Sequence, residues 1–320
     1  MPRSPRTTDP PRSGHTSESR ARRGEGRRLA RVVHELHPEV SFSRAKRAVA
    51  DGQVLVDDVP VRDPGALVAE GARVVWRREL PIEREDMVRI ELVHADADVA
   101  VVVKPAGLLT VPTPEGEKDT LLSRVALAVA RRRGERPYVG VVHRLDRDTS
   151  GLVVFATRRA ALADLQAQLL DRSMGRVYDA VVLGDLAAEA GTIDRTLIGD
   201  GVRRRRWVAR IGERGKTAVT HWRVVERFGV ATRVRVTLET GRTHQIRIHF
   251  AAAGFPLVGE PVYRAPGVEP DAIAFGRQAL HAGELRFRHP RDGREMVFEA
   301  ALPEDLERLL AELRRGRMAR

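Results

Sequence analysis

Cysteine is absent from the 320 residues. That excludes disulfides, thiolate nucleophiles and Cys-ligated zinc together, and it suits a reducing, cytoplasmic setting. Aromatic residues make up only 4%, so any stacking platform must be built from few rings. No apolar run is long enough to cross a bilayer. The N-terminal stretch is basic but lacks an apolar segment, so neither a secretory signal nor a membrane partner is expected. A Gly-rich phosphate loop and a dinucleotide fingerprint are also missing, so no nucleotide cofactor is expected. What the chain has in excess is base: Lys+Arg 56 against Asp+Glu 44, a net charge of +12, nearly all of it from arginine. Such an excess suits a polyanion through counterion release. An arginine-rich genome bias gives the same totals, so composition by itself leaves both readings open.

Length gives a prior of two domains. Residues 1–26 are Pro, Gly, Ser and Arg without periodicity and read as a disordered basic tail. From Arg27 the pattern becomes helical: Leu29, Val32, Val33 and Leu36 share a face before Pro38 stops it. A second short helix is expected from a cap at Ser43 to Asp51, with Gly52 ending it. "QVLVDDVPV" then reads as a hairpin turning at Asp57-Asp58, and "GARVVW" closes a small module near residue 78. Residues 79–87 are charged, hold a proline and read as a linker. From residue 88 to 320, many apolar strands at irregular spacing with few helices argue for an α+β domain with a largely antiparallel sheet. Strands are expected in "DVAVVVKP", "YVGVVHR", "GLVVFAT", "RVYDAVVLG", "AVTHWRVVERF" and "TRVRVTLET". The expected helices lie in "DTLLSRVALAVARRRG", "RRAALADLQAQLLD" and "PEDLERLLAELRRG".

Two constellations carry chemistry. "HRLDRDTSG", His143–Gly151, joins two apolar runs, so its polar side chains are expected in a cleft rather than at a wet edge. Asp146 there can act as nucleophile or base if positive charge favours its ionised form. Asp148, Thr149 and Ser150 read as turn residues, with Gly151 allowing a tight exit. Taken alone, an Asp in a loop is more often structural than catalytic. The second constellation is "ETGRTHQIRIHFAAAGFP", Glu239–Pro256, expected as a helix capped by Thr243 and ended by Gly254 and Pro256. His244 and His249 are five apart and share no helical face, so hydrogen-bonded histidines are favoured over a metal pair and no metal site is expected. A buried Arg247 needs an acid partner. "RRRRWVARIGERGK", which holds Arg205 and Trp207, reads equally as an RNA clamp or a solvated hairpin tip.

"HRLDRDTSGL" together with "GRTHQIRIH" resembles the RluA-type family of pseudouridine synthases, which isomerise uridine to pseudouridine in structured RNA. "VVVKPAGLLTVPT", "GRVYDAVVLG", "GKTAVTHWRVVERF" and "RQALHAGELRFRHP" fall in the family's order over roughly residues 90–300. Residues 27–77 resemble the RNA-binding domain of the ribosomal protein S-four type, in which Arg44, Lys46 and Arg47 would grip RNA backbone. The resemblance implies Asp146 as the catalytic aspartate and Arg247 as its partner. It implies Tyr178 as the ring that stacks on the target base and Arg144 as the residue that fills the gap left by the flipped nucleotide. It also tilts Arg205 and Trp207 towards RNA. Glu260 departs from the family's usual Gly-Asp and is expected to affect local packing rather than catalysis.

The expectation is therefore an α+β enzyme with a central active-site cleft and a small N-terminal α/β RNA-binding domain. It would act as a monomer, without cofactor, as an isomerase on structured RNA, with large-subunit (23S) ribosomal RNA the favoured substrate. The alternatives are a transfer-RNA pseudouridine synthase and a non-catalytic RNA-binding assembly factor. The latter would have no need of the aspartate.

Overall fold

"VAVVV" (99–103) and "LVVFA" (152–156) are apolar at every position because both of their faces are covered. The computed structural model describes residues 16–20, 27–61, 63–77, 90–114, 116–133, 138–199, 206–210, 212–268 and 273–318. It divides into two units, residues 1–88 with 130–136 and residues 89–129 with 137–320.

The first unit contains β1 (Thr16–Arg20), β2 (Arg27–Arg28), α1 (Leu29–Leu36), α2 (Phe42–Ala50), β3 (Val54–Val56), β4 (Val59–Pro60), β5 (Leu67–Val68) and β6 (Arg73–Arg77). Its core is Leu29, Val32 and Val33 of α1 against Ala45, Ala48 and Val49 of α2, with Val54, Val74 and Trp76 from the sheet. The hairpin turns where the sequence placed it: Asp57 and Asp58 have φ of 49° and 66°, the left-handed pair that a two-residue turn requires. The N-cap of α2 is Ser41, whose Oγ accepts from the Arg44 N–H. Ser43 lies inside the helix. Cap choice follows where the chain turns, and Ser41 and Ser43 are equally good capping residues, so composition did not separate them. The tail expectation also differs in part. Thr16–Arg20 pair antiparallel with Arg73–Arg77, because β6 offers a free edge of backbone donors and acceptors. The rest of 1–26, and the linker at 79–87, lie outside the described residues.

The second unit contains β7 (Glu91–Ala95), β8 (Val99–Lys104), α3 (Leu121–Arg133), β9 (Gly140–Val141), β10 (Ser150–Ala156), α4 (Arg159–Leu170), β11 (Gly175–Leu183), β12 (Ala190–Asp194), β13 (Leu197–Gly199), β14 (Arg206–Val208), β15 (Val219–Arg227), β16 (Ala231–Leu238), α5 (Gln245–Ala252), β17 (Leu280–Arg288), β18 (Glu295–Glu299) and α6 (Glu304–Met318). Ten strands form one sheet in the order β12-β15-β16-β11-β17-β10-β8-β7, with β18 on β17 and β9 on β10. The "YVGVV" run yields only the two-residue β9. Period-2 alternation sends Val153 and Phe155 to one core with α3 and α5, and Leu152 and Val154 to another with α4. The leucine stripe of α6, Leu306, Leu309, Leu310 and Leu313, packs on Val181 and Leu183 of β11. No helix among the described residues is long and apolar enough to cross a membrane.

Pairing in the sheet is antiparallel except between β10 and β17. Parallel neighbours begin at the same sheet end, so the chain entering β10 meets the chain entering β17. That junction holds the "HRLDRDTSG" loop.

Candidate active site

Gly151 makes the junction possible. It adopts φ 118°, and a Cβ there would meet the Ala282 carbonyl oxygen at 2.3 Å and the Ala282 nitrogen at 2.5 Å. Only a residue without a side chain allows β17 to approach this closely. Ala282 pairs with Gly151 on one side and with Tyr178 on the other. β17 thus places the Asp146 loop and Tyr178 one strand to either side of itself. The β11–β17 register shifts between Val177 and Tyr178, the kind of irregularity that re-aims a side chain.

Buried donors hold the loop from below. The Lys104 ammonium, fully buried, donates to the carbonyls of Pro105, Leu108 and Arg147 at 2.7–2.8 Å. Burial pulls this amine down to about 7, against the opposing charges of Asp148 and Asp146. Thr110 Oγ1 donates to the Leu145 carbonyl at 2.8 Å and accepts from its N–H at 3.1 Å. From the chain entering β17, Arg277 donates to the Asp148 carbonyl at 3.0 Å and Gln278 to Thr149 Oγ1 at 3.2 Å. Ser150 Oγ bonds His281 Nδ1 at 2.9 Å. Asp148 lies in the turn, as expected, whereas Ser150 is the first residue of β10, drawn into the sheet by its pairing with His281; Asp148, Thr149 and Ser150 are all wired to the neighbouring strand.

Asp146 lies 15% exposed, with Arg247 Nη1 donating to its Oδ2 at 3.2 Å. Arg247 does not serve Asp146 alone. Its Nε and Nη2 both donate to Glu260 at 2.7 Å, and Glu260 is 1% exposed. Burial disfavours the guanidinium charge, but the bonds to Glu260 and the charges of Glu260 and Asp146 outweigh it and raise the group further. Glu260 therefore does more than pack: it fixes the arginine that faces Asp146. A buried arginine needs an acid, and Arg247 has two: Asp146, which the family resemblance implies, and Glu260, expected only to pack, which lies 13 residues along the chain and beyond the end of α5.

His244 adopts φ 59° at the N-cap of α5, so Thr243 is not the cap. The turn is closed instead by Gln245, whose Oε1 accepts from Arg242 N–H at 3.0 Å and from Thr240 Oγ1 at 2.7 Å. The left-handed backbone directs His244 Nε2 to 3.7 Å from Asp146 Oδ1, while its Nδ1 bonds the Tyr263 hydroxyl at 2.7 Å. The Tyr263 ring lies 5.3 Å from the Arg247 guanidinium. Burial pushes the His244 imidazole down, with Asp146 opposing. His249 turns away and bonds Thr220 Oγ1 and the Arg195 carbonyl, so the two histidines do not meet. His244 and Tyr263 carried no sequence signal, because a left-handed non-glycine backbone and a contact across 19 residues leave no periodic trace.

These groups line a cavity of about 250 Å³ with Arg144, Asp146, Tyr178, His244 and Arg247 on its wall. Tyr178 is 5% exposed, and burial holds its phenol above the usual range, so it stays protonated at neutral pH. Arg144 is exposed at the mouth. A cavity below the roughly 300–1,000 Å³ of drug-sized sites suits a base and its sugar. Outside this site, Arg44, Lys46 and Arg47 are exposed along α2. Trp207 is 41% exposed on β14, and Arg205 lies outside the described residues.

Residues 98–252 match the family described as RNA pseudouridylate synthase, and residues 27–74 match the S4 domain. The ribosomal large subunit pseudouridine synthase D of Pseudomonas aeruginosa is 41% identical over 306 residues, 92% of this chain and 94% of that protein. The chain belongs to the RluA-type RNA pseudouridine synthases. The same-named protein of Escherichia coli K12 is 37% identical over 90% of this synthase and 91% of its own length. An uncharacterised RNA pseudouridine synthase of Bacillus subtilis is 38% identical over 90% and 95%. The solved structure of human RNA pseudouridylate synthase domain containing 4 shares the fold, with a TM-score of 0.59 at 21% identity over 70% of this synthase and 93% of that chain. The α+β class, the isomerase activity and the RNA-binding module read from sequence all hold.

Proposed function

We propose that this synthase isomerises uridine in large-subunit ribosomal RNA, with Asp146 as the reacting group. The observation that carries the reading is a single carboxylate facing Arg247 at 3.2 Å inside a cavity that also holds Tyr178. The relatives named as acting on the ribosomal large subunit, at 37–41% identity over most of the chain, support the choice of RNA.

Isomerisation breaks the N1–C1′ bond, turns the uracil and forms C5–C1′. The C5 proton leaves and N1 ends protonated, so the product is an isomer of the substrate. Base stacking blocks access, so the nucleotide must be extruded, at a cost of a few kcal/mol. On this reading Arg144, which is exposed and lines the cavity, occupies the vacancy. Asp146 supplies the one anionic oxygen the step needs, as nucleophile or proton acceptor, and Arg247 stabilises its charge. The Tyr178 ring gives a flat face on which the detached base can turn, since stacking tolerates in-plane rotation. With the base seated, the apolar side chains Val142, Leu238, Ile246 and Leu280 of the wall limit the water that reaches the intermediate. On this reading the synthase acts as a monomer in the cytoplasm, where its ribosomal RNA substrate is made.

The test is a pseudouridine map of ribosomal and transfer RNA from cells with the gene, without it, and complemented by Asp146→Asn. The expected result is the loss of specific large-subunit positions that the variant does not restore. Loss confined to transfer RNA would overturn the substrate, and restoration by the variant would overturn the role of Asp146.

A further inference from the structure

Half-buried and buried arginines in the synthase unit are matched to acids: Arg233 to Asp179, Arg235 to Glu284, Arg277 to Asp305 and Arg124 to Asp119. Among the described residues Arg206 and Arg176 stand outside this pattern, and of the two only Arg176 lines the cavity around Asp146. It is half-buried on β11, its Nε is buried without a hydrogen-bond partner, and among the described residues no carboxylate pairs with its guanidinium. Strand alternation puts it on the same face as Tyr178, and both line the cavity around Asp146. Its charge is felt inside that wall: buried His143 is held down to about 3, first by burial and then by Arg176.

The neighbouring backbone leaves room for this side chain. A Cβ on Gly241 would lie 2.7 Å from Arg176 Nη1. Gly241 is exposed, so the guanidinium lies towards the rim of the cavity, one side-chain step outward from Tyr178 on the strand. A guanidinium partly removed from water with no acid beside it is unfavourable unless an anion completes it. The reaction brings such an anion. An extruded nucleotide carries its base to Tyr178 and leaves its flanking phosphates at the rim, and a planar guanidinium fits a phosphate with two parallel bonds.

Resting on the assignment of uridine isomerisation to this cavity, we infer that Arg176 is the subsite for a backbone phosphate flanking the target uridine, and that Gly241 keeps the space this arginine needs. Arg176 is then a substrate-binding residue for extrusion, and the acid it lacks is supplied by the RNA.

The experiment uses the full-length synthase and RNA fragments carrying the mapped uridine. The phosphate 5′ or 3′ of that uridine is left natural or replaced by a neutral methylphosphonate. For the wild-type protein, one of the two replacements is expected to raise KM about tenfold, the scale of a charged hydrogen bond. Arg176→Met is expected to raise KM about as much on natural RNA, to leave kcat within about threefold, and to add nothing on the neutralised RNA. Gly241→Ala keeps the charge but displaces the flexible end of Arg176, and is expected to reproduce a smaller KM rise with an unchanged melting temperature. It decides the matter if Arg176→Met does not fold. A methylphosphonate penalty that is the same in wild type and variants, or a loss in kcat with KM unchanged, overturns the phosphate role. Absence of any pseudouridine formation by the wild-type protein would instead overturn the reading on which this one rests.

Discussion

Arg247 and Glu260 form a two-bond pair, Nε and Nη2 each donating to a carboxylate oxygen at 2.7 Å, and this pair aims the third guanidinium nitrogen at Asp146. Glu260 in turn accepts from the backbone N–H groups of Val262 and Tyr263. Glu260→Gln removes the charge and replaces one acceptor by a donor that faces Nη2 or Nε. Because a misplacement of about 1 Å at a reacting centre costs up to about 100-fold, kcat is expected to fall by about 10- to 100-fold. KM should change little, because Glu260 lies behind the arginine. Steady-state kinetics on the mapped RNA checks this, and a KM rise with normal kcat would assign Glu260 to binding.

Gly151 and Ala282 set how closely β10 and β17 meet. Gly151→Ala adds a Cβ into backbone atoms at 2.3–2.7 Å, at φ 118°, combining overpacking with strain of roughly 1–3 kcal/mol each. Urea unfolding should show a loss of about 2–6 kcal/mol, with faster amide exchange at both strands. Unaltered stability would mean that the two strands can separate without cost.

His143 accepts the Val154 N–H at Nε2 and is held down to about 3 from an ordinary 6.5 by burial first and Arg176 second. The unfolded chain therefore binds the extra proton at higher pH than the folded one. The stability due to this histidine is complete above pH 6.5 and is lost as pH falls towards 3. His143→Gln keeps an acceptor for Val154 and removes the titration. Between pH 6.5 and about 4, stability of the variant should fall less steeply than wild type, by up to about 1.4 kcal/mol per pH unit. Parallel stability curves would show that the imidazole is protonated in the fold.

Arg44, Lys46 and Arg47 line the exposed side of α2 while Ala45, Ala48 and Val49 fill the core. Replacing the three by alanine leaves that core intact. RNA affinity should drop, and the slope of log affinity against log salt should become shallower by about 2, since each lost phosphate contact removes about 0.7–0.9. An unchanged slope in filter-binding titrations across salt would show that this helix does not touch phosphate.

The sequence by itself determined the parts whose cause is local. The apolar runs of β8, β10, β11 and β16, the leucine stripe of α6, the α1 face and the Asp57-Asp58 turn are each set by neighbours within a few residues, and each is where the pattern put it. That Asp146, Tyr178 and Arg247 come together in one cavity was legible because motif resemblance carries over distances that periodicity does not reach. The caps at Ser41 and His244 were not, because several nearby residues cap equally well and backbone geometry chooses among them. Only the tertiary structure decided which side chains meet. β17, entering parallel to β10 and antiparallel to β11, gathers a loop at residue 146, a strand at 178 and a helix at 247 around one cavity. The Glu260 that fixes Arg247 and the unpaired Arg176 emerge from that assembly, since whether a charge is matched depends on burial and on partners remote in the chain.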